Sequence, residues 1–276
     1  MILGVHASVR RGYDAALEEA RSVGCAALQI LPYARHHEPT AQELSSFRAA
    51  RRGAGVDALL VHSRYAPSLA SADAPRRARS VAHLARELSL TMALGADAYV
   101  IHGGAYSPGS SLEEGVRLFA DSVIRAVETA GFPAPVLVEN VPGGGRRMGG
   151  GLEELARLLE ALAPRAPSVG ACLDTAHAWA AGYDLSSIEG ALKFLSKAHR
   201  LLGPDAVRAF HLNDSSALLG SHREHHEHWG KGRLGREGLK ALLERPEFES
   251  APAILETHKD GPGADRANLS FARGLL

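Results

Sequence analysis

The chain has 276 residues, 45% of them apolar, with 31 Lys and Arg balancing 31 Asp and Glu. That balance excludes a disordered acidic or basic tail protein, and no run approaches the roughly 20 apolar residues a membrane span needs. Two cysteines, Cys25 and Cys172, exclude a disulfide framework and a cysteine-rich zinc module, and fit a reducing cytoplasm.

The opening stretch does not read as a signal peptide, because Arg10 and Arg11 follow the short apolar segment instead of preceding it. Eight short apolar runs then recur: Ile2–His6, Ala26–Leu31, Ala58–His62, Ala98–His102, Val136–Glu139, Val169–Asp174, Val207–His211 and Ala253–Glu256. They are continuous rather than alternating, as strands buried on both faces should be. The segments between them read as helices. Val81, Leu84, Ala85, Leu88 and Met92 share one stripe, and Gly95 suits the helix stop. Ser111 and Glu114 make a capping-box pattern ahead of Val116, Phe119, Val123 and Val127. Leu152, Leu155, Leu159 and Leu162 form a further stripe. Strand–helix alternation over about 250 residues predicts one α/β domain, a single (β/α)8 barrel over residues 1–276. A doubly wound open sheet is the alternative, but no Gly-rich dinucleotide fingerprint follows Ile2–His6.

The residues closing the eight runs are His6, Leu31, His62, His102, Glu139, Asp174, His211 and Glu256. In a barrel these ends converge on the face where active sites are built. A single strand-end histidine is more often a hydrogen-bonded structural residue than a ligand, and a lone buried carboxylate is costly. Seven such residues on one face instead predict a centre of imidazole and carboxylate ligands suited to zinc or manganese. The set is too large for one four-coordinate ion, so at least two ions are expected. Leu31 breaks the pattern. His6 is expected to orient a ligand by hydrogen bond.

The loops add to this face. His177 lies three residues past Asp174, and the run Gly220–Gly232 after the seventh strand is a long loop rich in histidine and glutamate. Basic residues crowd the same loops: Arg10, Arg11, Arg35, Arg64, Arg146, Arg147, Arg223, Lys231 and Arg233. Arg76, Arg77 and Arg79 read as ordinary charge on a helix surface. A cationic rim above several metal ions suits an anionic substrate, a phosphate above all. Cys25 and Cys172 read as small buried hydrophobes.

Four stretches carry a family resemblance: Gly4–Ser8, Cys172–Asp184, His211–Asp214 and Ile254–Thr257. In order and spacing, over nearly the whole chain, they resemble endonuclease IV, the metal-dependent apurinic/apyrimidinic endonucleases of base-excision repair. Val138-Glu139-Asn140 falls in register with them. The resemblance implies a (β/α)8 barrel holding three zinc ions, with manganese able to substitute. One would sit on His62, His102 and Glu139. A second would sit on Glu139, Asp174, His211 and Glu256, with Glu139 bridging the two. The third would sit on His177, His226 and Glu224, where the family has Asp. Glutamate is also an oxygen donor but one methylene longer, so His222 or His225 are the substitutes at that place.

The resemblance further implies hydrolysis of the phosphodiester 5′ to an abasic site in double-stranded DNA, leaving a 3′-hydroxyl. It implies a cytoplasmic monomer with Glu139 as the catalytic carboxylate. Tyr65 matches an aromatic wedge, and Arg35 or His36 would fill the gap left by the flipped nucleotide. Arg64, Lys231 and Arg233 would hold phosphates. The loop Leu31–Glu38 matches the family's DNA-entering segment poorly, so a phosphodiesterase with an altered substrate stands as an alternative. A single-metal sugar isomerase or epimerase of the same barrel superfamily is the nearest alternative, because it needs only Glu139, Asp174, His211 and Glu256. A non-catalytic metal or nucleic-acid binding protein is the third.

Overall fold

Short apolar strands alternating with helices set the architecture. The computed structural model describes residues 1–64, 67–166, 168–261 and 263–276. In chain order they form β1 (Ile2–Ala7), α1 (Tyr13–Val23), β2 (Ala27–Ile30), α2 (Ala41–Ala50), β3 (Ala58–His62), α3 (Ala74–Leu94), β4 (Ala98–His102) and α4 (Leu112–Ala130). There follow β5 (Val136–Glu139), α5 (Leu152–Leu162), β6 (Val169–Asp174), α6 (Thr175–Ala181), α7 (Ile188–Leu202) and β7 (Val207–His211). The last elements are β8 (Asp214–Ser215), β9 (His226–Glu227), α8 (Gly235–Leu243), β10 (Pro252–Leu255) and α9 (Ala264–Arg273). Eight strands pair in parallel in the order β1-β10-β7-β6-β5-β4-β3-β2 and close on themselves. This is the (β/α)8 barrel expected from the alternation of strand and helix.

Two apolar layers result. Ala27, Leu60, Ala98, Val100, Leu137, Cys172, Ala209 and Ile254 fill the barrel. The opposite faces of the strands join a larger core under the helices. Cys172 belongs to the inner layer, where burial pushes its thiol up to about 11, so it packs as a small hydrophobe.

The helix signals hold with two differences. Ser111 accepts from the Glu114 amide, but the fully reciprocal box forms at Thr40 and Glu43, ahead of α2. Met92, on the expected stripe of α3, is 41% exposed, because Thr91 and Leu94 take the buried positions at the helix end. Gly95 closes α3 in the left-handed region at φ 69°. Three strand limits also shift: Ala26, Leu31 and Glu256 flank strands rather than belong to them, β1 runs on to Ala7, and β10 begins at Pro252. Among the described residues no helix is long and apolar enough to cross a membrane.

Gly4 shows how close the strands lie. A Cβ at this position would stand 2.0 Å from the Ala27 carbonyl oxygen, a clash with backbone that no rotamer can relieve. Gly4→Ala should therefore lower stability by about 1–3 kcal/mol, read as a fall in the urea midpoint with unchanged slope.

Candidate metal centre

Register alone brings the ligand types together. His102 pairs with Glu139 across β4 and β5, and Asp174 pairs with His211 across β6 and β7. His62 ends β3, and Glu256 directly follows β10. His177 sits in the first turn of α6, whose start is capped by Asp174 Oδ1 accepting from the His177 amide at 2.7 Å. Three groups of ligand atoms gather within 4.8 Å of one another: His62, His102 and Glu139; Glu139, Asp174, His211 and Glu256; and Asp174, His177 and His226.

Glu139 is fully buried at the centre. Its Oε2 faces His62 Nε2 at 2.9 Å and His102 Nε2 at 3.0 Å. Its Oε1 faces His211 Nδ1 at 3.0 Å and His177 Nδ1 at 3.1 Å. Burial alone would raise this carboxyl, but His211, His102 and His177 hold it well below the usual range. Glu256 follows the same logic: His211 overcomes burial and holds it at about 2. The histidines answer in kind. Burial opposes protonation of His177, yet Asp174, Glu139 and Glu224 raise it well above its ordinary value. His211 is likewise raised well above that value despite burial, by Cys172, Glu139 and Glu256.

The backbone selects which ring nitrogen looks inward. His62 Nδ1 donates to the Ser63 carbonyl at 2.9 Å and His226 Nδ1 to the Glu256 carbonyl at 3.2 Å. Their Nε2 lone pairs therefore point at carboxylate oxygens. His211 is fixed the other way, with Nε2 donating to Gln29 Oε1 at 2.9 Å, so Nδ1 faces Glu139 and Glu256. Lone pair against carboxylate is repulsive unless a proton or a metal cation lies between. In addition, His177 Nε2 and His226 Nε2 are buried without a hydrogen-bond partner among the described residues, a cost of about 1–3 kcal/mol each unless a ligand satisfies them. These donor sets fit divalent cations.

Supporting groups complete the floor. Gln29 donates to Glu256 Oε1 at 2.6 Å and to His6 Nδ1 at 3.0 Å. Burial lowers His6 to about 4, so it stays neutral and can accept that bond. His6 thus acts through Gln29 and stands 3.7 Å from Glu256. Gln29, not Leu31, is what β2 contributes; its signal was a lone polar residue inside an apolar run. Asn213 Nδ2 donates to Asp174 Oδ2 at 2.6 Å, and Asn140 Oδ1 accepts from the Asp174 amide at 2.7 Å. Neither had a role assigned from sequence.

The loop after β7 is more ordered than expected. β8 and β9 form an antiparallel pair that carries His226. Buried Asp214 accepts from the amides of Ser215, Gly230, Gly232 and Leu234 at 2.8–3.1 Å. Gly232 is required there, since a Cβ would lie 2.3 Å from Asp214 Oδ1. Glu224 is half exposed with Oε2 3.6 Å from His177 Nε2. The His177 ring beside it keeps it at about 2 despite partial burial. It lies beside the third group rather than inside it, and Asp174 takes the carboxylate place there. His222 turns away to the Pro142 carbonyl, and His225 is exposed.

A cavity of about 450 Å³ stands over this floor, walled in part by Arg10, Arg64 and Lys259. Arg64 Nη1 donates to the Tyr33 carbonyl at 2.7 Å, and its guanidinium lies over the Tyr33 ring. Arg35 and His36 are exposed on the loop after β2, with His36 at φ 62°. Lys231 is exposed, and Arg233 is tied to the Ser216 carbonyl at 3.1 Å. Tyr65 lies outside the described residues.

Comparison with known proteins agrees with this geometry. Residues 17–274 match the family model described as xylose isomerase-like TIM barrel. A protein named probable endonuclease 4 from Solibacter usitatus is 35% identical over 283 aligned residues, covering 100% of this chain and 97% of that protein. The crystal structure of endonuclease IV from Thermus thermophilus superposes with a TM-score of 0.85 at 33% identity, over 100% of this chain and 99% of the other. A D-tagatose 3-epimerase-like protein reaches a TM-score of 0.77 at 18% identity, covering 100% and 97%, and shows the shared fold alone. The fold and site thus define a xylose isomerase-like barrel with a carboxylate–imidazole centre. Within that class the chain belongs to the endonuclease IV family, and it is a DNA-cleaving hydrolase.

Asp214→Ala removes four acceptor contacts from one loop without touching the barrel. The expected result is much faster limited proteolysis within residues 216–233 at near-normal far-UV circular dichroism.

Proposed function

We propose that the protein is a zinc-dependent DNA-repair endonuclease that hydrolyses the phosphodiester 5′ to an abasic nucleotide and leaves a 3′-hydroxyl. The observation that supports this reading best is the Glu139 carboxylate, turned to His62 and His102 through Oε2 and to His211 through Oε1. That is the arrangement of a bridging ligand. His62, His102 and Glu139 would hold one zinc; Glu139, Asp174, His211 and Glu256 a second; His177 and His226 a third, with Asp174 and Glu224 as its carboxylates. Manganese could take their place. Bound there, the ions would neutralise phosphoryl charge and supply a water acidic enough to ionise near neutral pH.

The protein's own groups have separate tasks. Glu139 would be shared by two of these sites, and a neutral amide could not supply its charge. Gln29 and Asn213 orient His211, Asp174 and Glu256, with His6 supporting Gln29. Arg64, Lys231 and Arg233 hold phosphates, so binding weakens with salt. Arg35 and His36, on the loop after β2, and Tyr65, which follows β3 in sequence, would fill the gap left by the flipped nucleotide, whose extrusion is cheap because no base pair is lost. The protein acts on double-stranded DNA as a cytoplasmic monomer of one barrel domain.

The test is incubation of metal-loaded protein with a duplex carrying one abasic-site analogue, with and without chelator. Chelator-sensitive incision 5′ to the lesion is expected; its absence sinks the reading. Glu139→Gln should retain the fold and lose roughly a thousandfold in turnover, a barrier increase of about 4 kcal/mol. Elemental analysis should give about three ions per chain, whereas about one would favour sugar isomerisation or epimerisation.

Acid should weaken metal binding. His177 and His211 hold protons above their ordinary range, and each proton must leave before the nitrogen can bind a cation. Apparent zinc affinity is therefore expected to fall at least about tenfold from pH 8 to pH 6, with protons released on binding. An affinity independent of pH, by calorimetry in two buffers, would contradict this.

A further inference from the structure

A second groove of about 350 Å³ opens beside the metal centre, with His102 as the wall the two cavities share. Pro67, Tyr106, Pro108 and Val141 line its floor and sides, while Arg76, Arg146 and Arg147 stand around it. Among the described residues no carboxylate lines it. Three permanently charged guanidiniums with no acid among them make a site for an anion, and their planar donors match phosphate oxygens. The apolar wall with one aromatic ring offers a stacking surface for a base.

The groove is built rather than incidental. Tyr106 and Arg146 are bonded both ways: the Tyr106 amide donates to the Arg146 carbonyl at 3.2 Å, and Arg146 Nε donates to the Tyr106 carbonyl at 3.0 Å. Ala105 bridges to Arg147, and the Met148 amide donates to the Gly104 carbonyl at 2.9 Å. Gly115 of α4 lets Tyr106 sit against the helix, since a Cβ there would come 2.6 Å from the Tyr106 Cβ. Arg147 Nη2 is used to hold the His222 carbonyl at 3.0 Å. The terminal nitrogens of Arg146 and the guanidinium of Arg76 make no hydrogen bond or ion pair among the described residues. The loop after β5 and the start of α3 thus present two uncommitted cations to one preformed hollow.

We propose that this groove is a nucleotide subsite for the cut strand, taking the nucleotide adjacent to the one whose phosphate lies at the metal centre. Arg146 and Arg76 bind its phosphate, and Tyr106 packs against its base. The proposal rests on the reading of the site as a DNA hydrolase. It assigns a role to Arg76, which its sequence position marks only as helix-surface charge.

The test uses full-length metal-loaded protein and the variants Arg76→Ala, Arg146→Ala, their double, and Tyr106→Ala. Arg79→Ala, exposed on α3 outside the groove, is the control for overall charge. For the double variant, KM for the abasic duplex should rise about tenfold with kcat within twofold. The slope of log Kd against log salt, measured by anisotropy on an undamaged oligonucleotide, should fall by about 0.9 for each arginine removed and stay unchanged in the control. Trimming the substrate strand on one side of the lesion should cost the wild type affinity and cost the double variant almost none. An unchanged salt slope in the double variant, or equal losses on trimming in both proteins, overturns the subsite. Failure of incision with the oligonucleotide slopes as expected would instead remove the abasic-site reading and leave the subsite standing.

Discussion

A buried carboxylate surrounded by imidazoles is the constraint on which the rest of the structure depends. Burying an ion costs several kcal/mol unless its partners are close and well aligned, and Glu139 meets that condition with four ring nitrogens within 3.1 Å. Those rings come from β3, β4, α6 and β7. No single element could supply them. The closed barrel solves the problem because parallel register places one strand end beside the next, and small inward residues such as Ala98, Ala209 and Cys172 let the ends converge. Core packing and site chemistry are therefore one design: the strand pairing that stabilises the barrel also fixes the distances between ligands.

Carbonyls and amides then decide which way each ring turns. A neutral imidazole offers one lone pair, and the nitrogen that offers it is set by the bond at the other. Ser63, Glu256 and Asn140 carbonyls hold Nδ1 of His62, His226 and His177, while Gln29 holds Nε2 of His211. Electrostatics alone would favour protonated rings against so many carboxylates. A divalent cation competes with those protons for the same lone pairs, so the raised histidines and the depressed carboxyls report one balance from two sides.

Much of this was legible in the sequence, and the parts that were not share a physical cause. His62, His102, Glu139 and His211 stand out because an abrupt charge or imidazole ends a run of apolar residues, and the barrel makes every such end a neighbour. Gln29 does not stand out, since it lies inside its run and its importance comes from reaching inward beneath His211 and Glu256. Asp214 reads as one more polar residue after a strand; only the folded loop shows four amides converging on it. Met92 misled for the complementary reason: spacing places it on the stripe, but a helix end turns away from the core. Contacts between distant segments are invisible to local pattern, and these residues act only through such contacts.

The same distinction separates the floor from the rim. Floor residues sit on strands whose register allows one arrangement, so their chemistry follows from the fold. Rim residues sit on loops, and the loops differ in how they are held. Those after β4 and β5 are bonded to each other through Tyr106, Arg146 and Arg147. The loop after β2 is tied down at Tyr33, whose hydroxyl meets His83 and whose carbonyl accepts from Arg64, yet its tip at Arg35 and His36 stays exposed. Loops bonded to each other stand on one side of the ligand cluster and an exposed tip on the other, so the two flanks of the site are held differently. The ligand set is thus a property of the barrel register, whereas the surface around it is a property of how these loops are anchored.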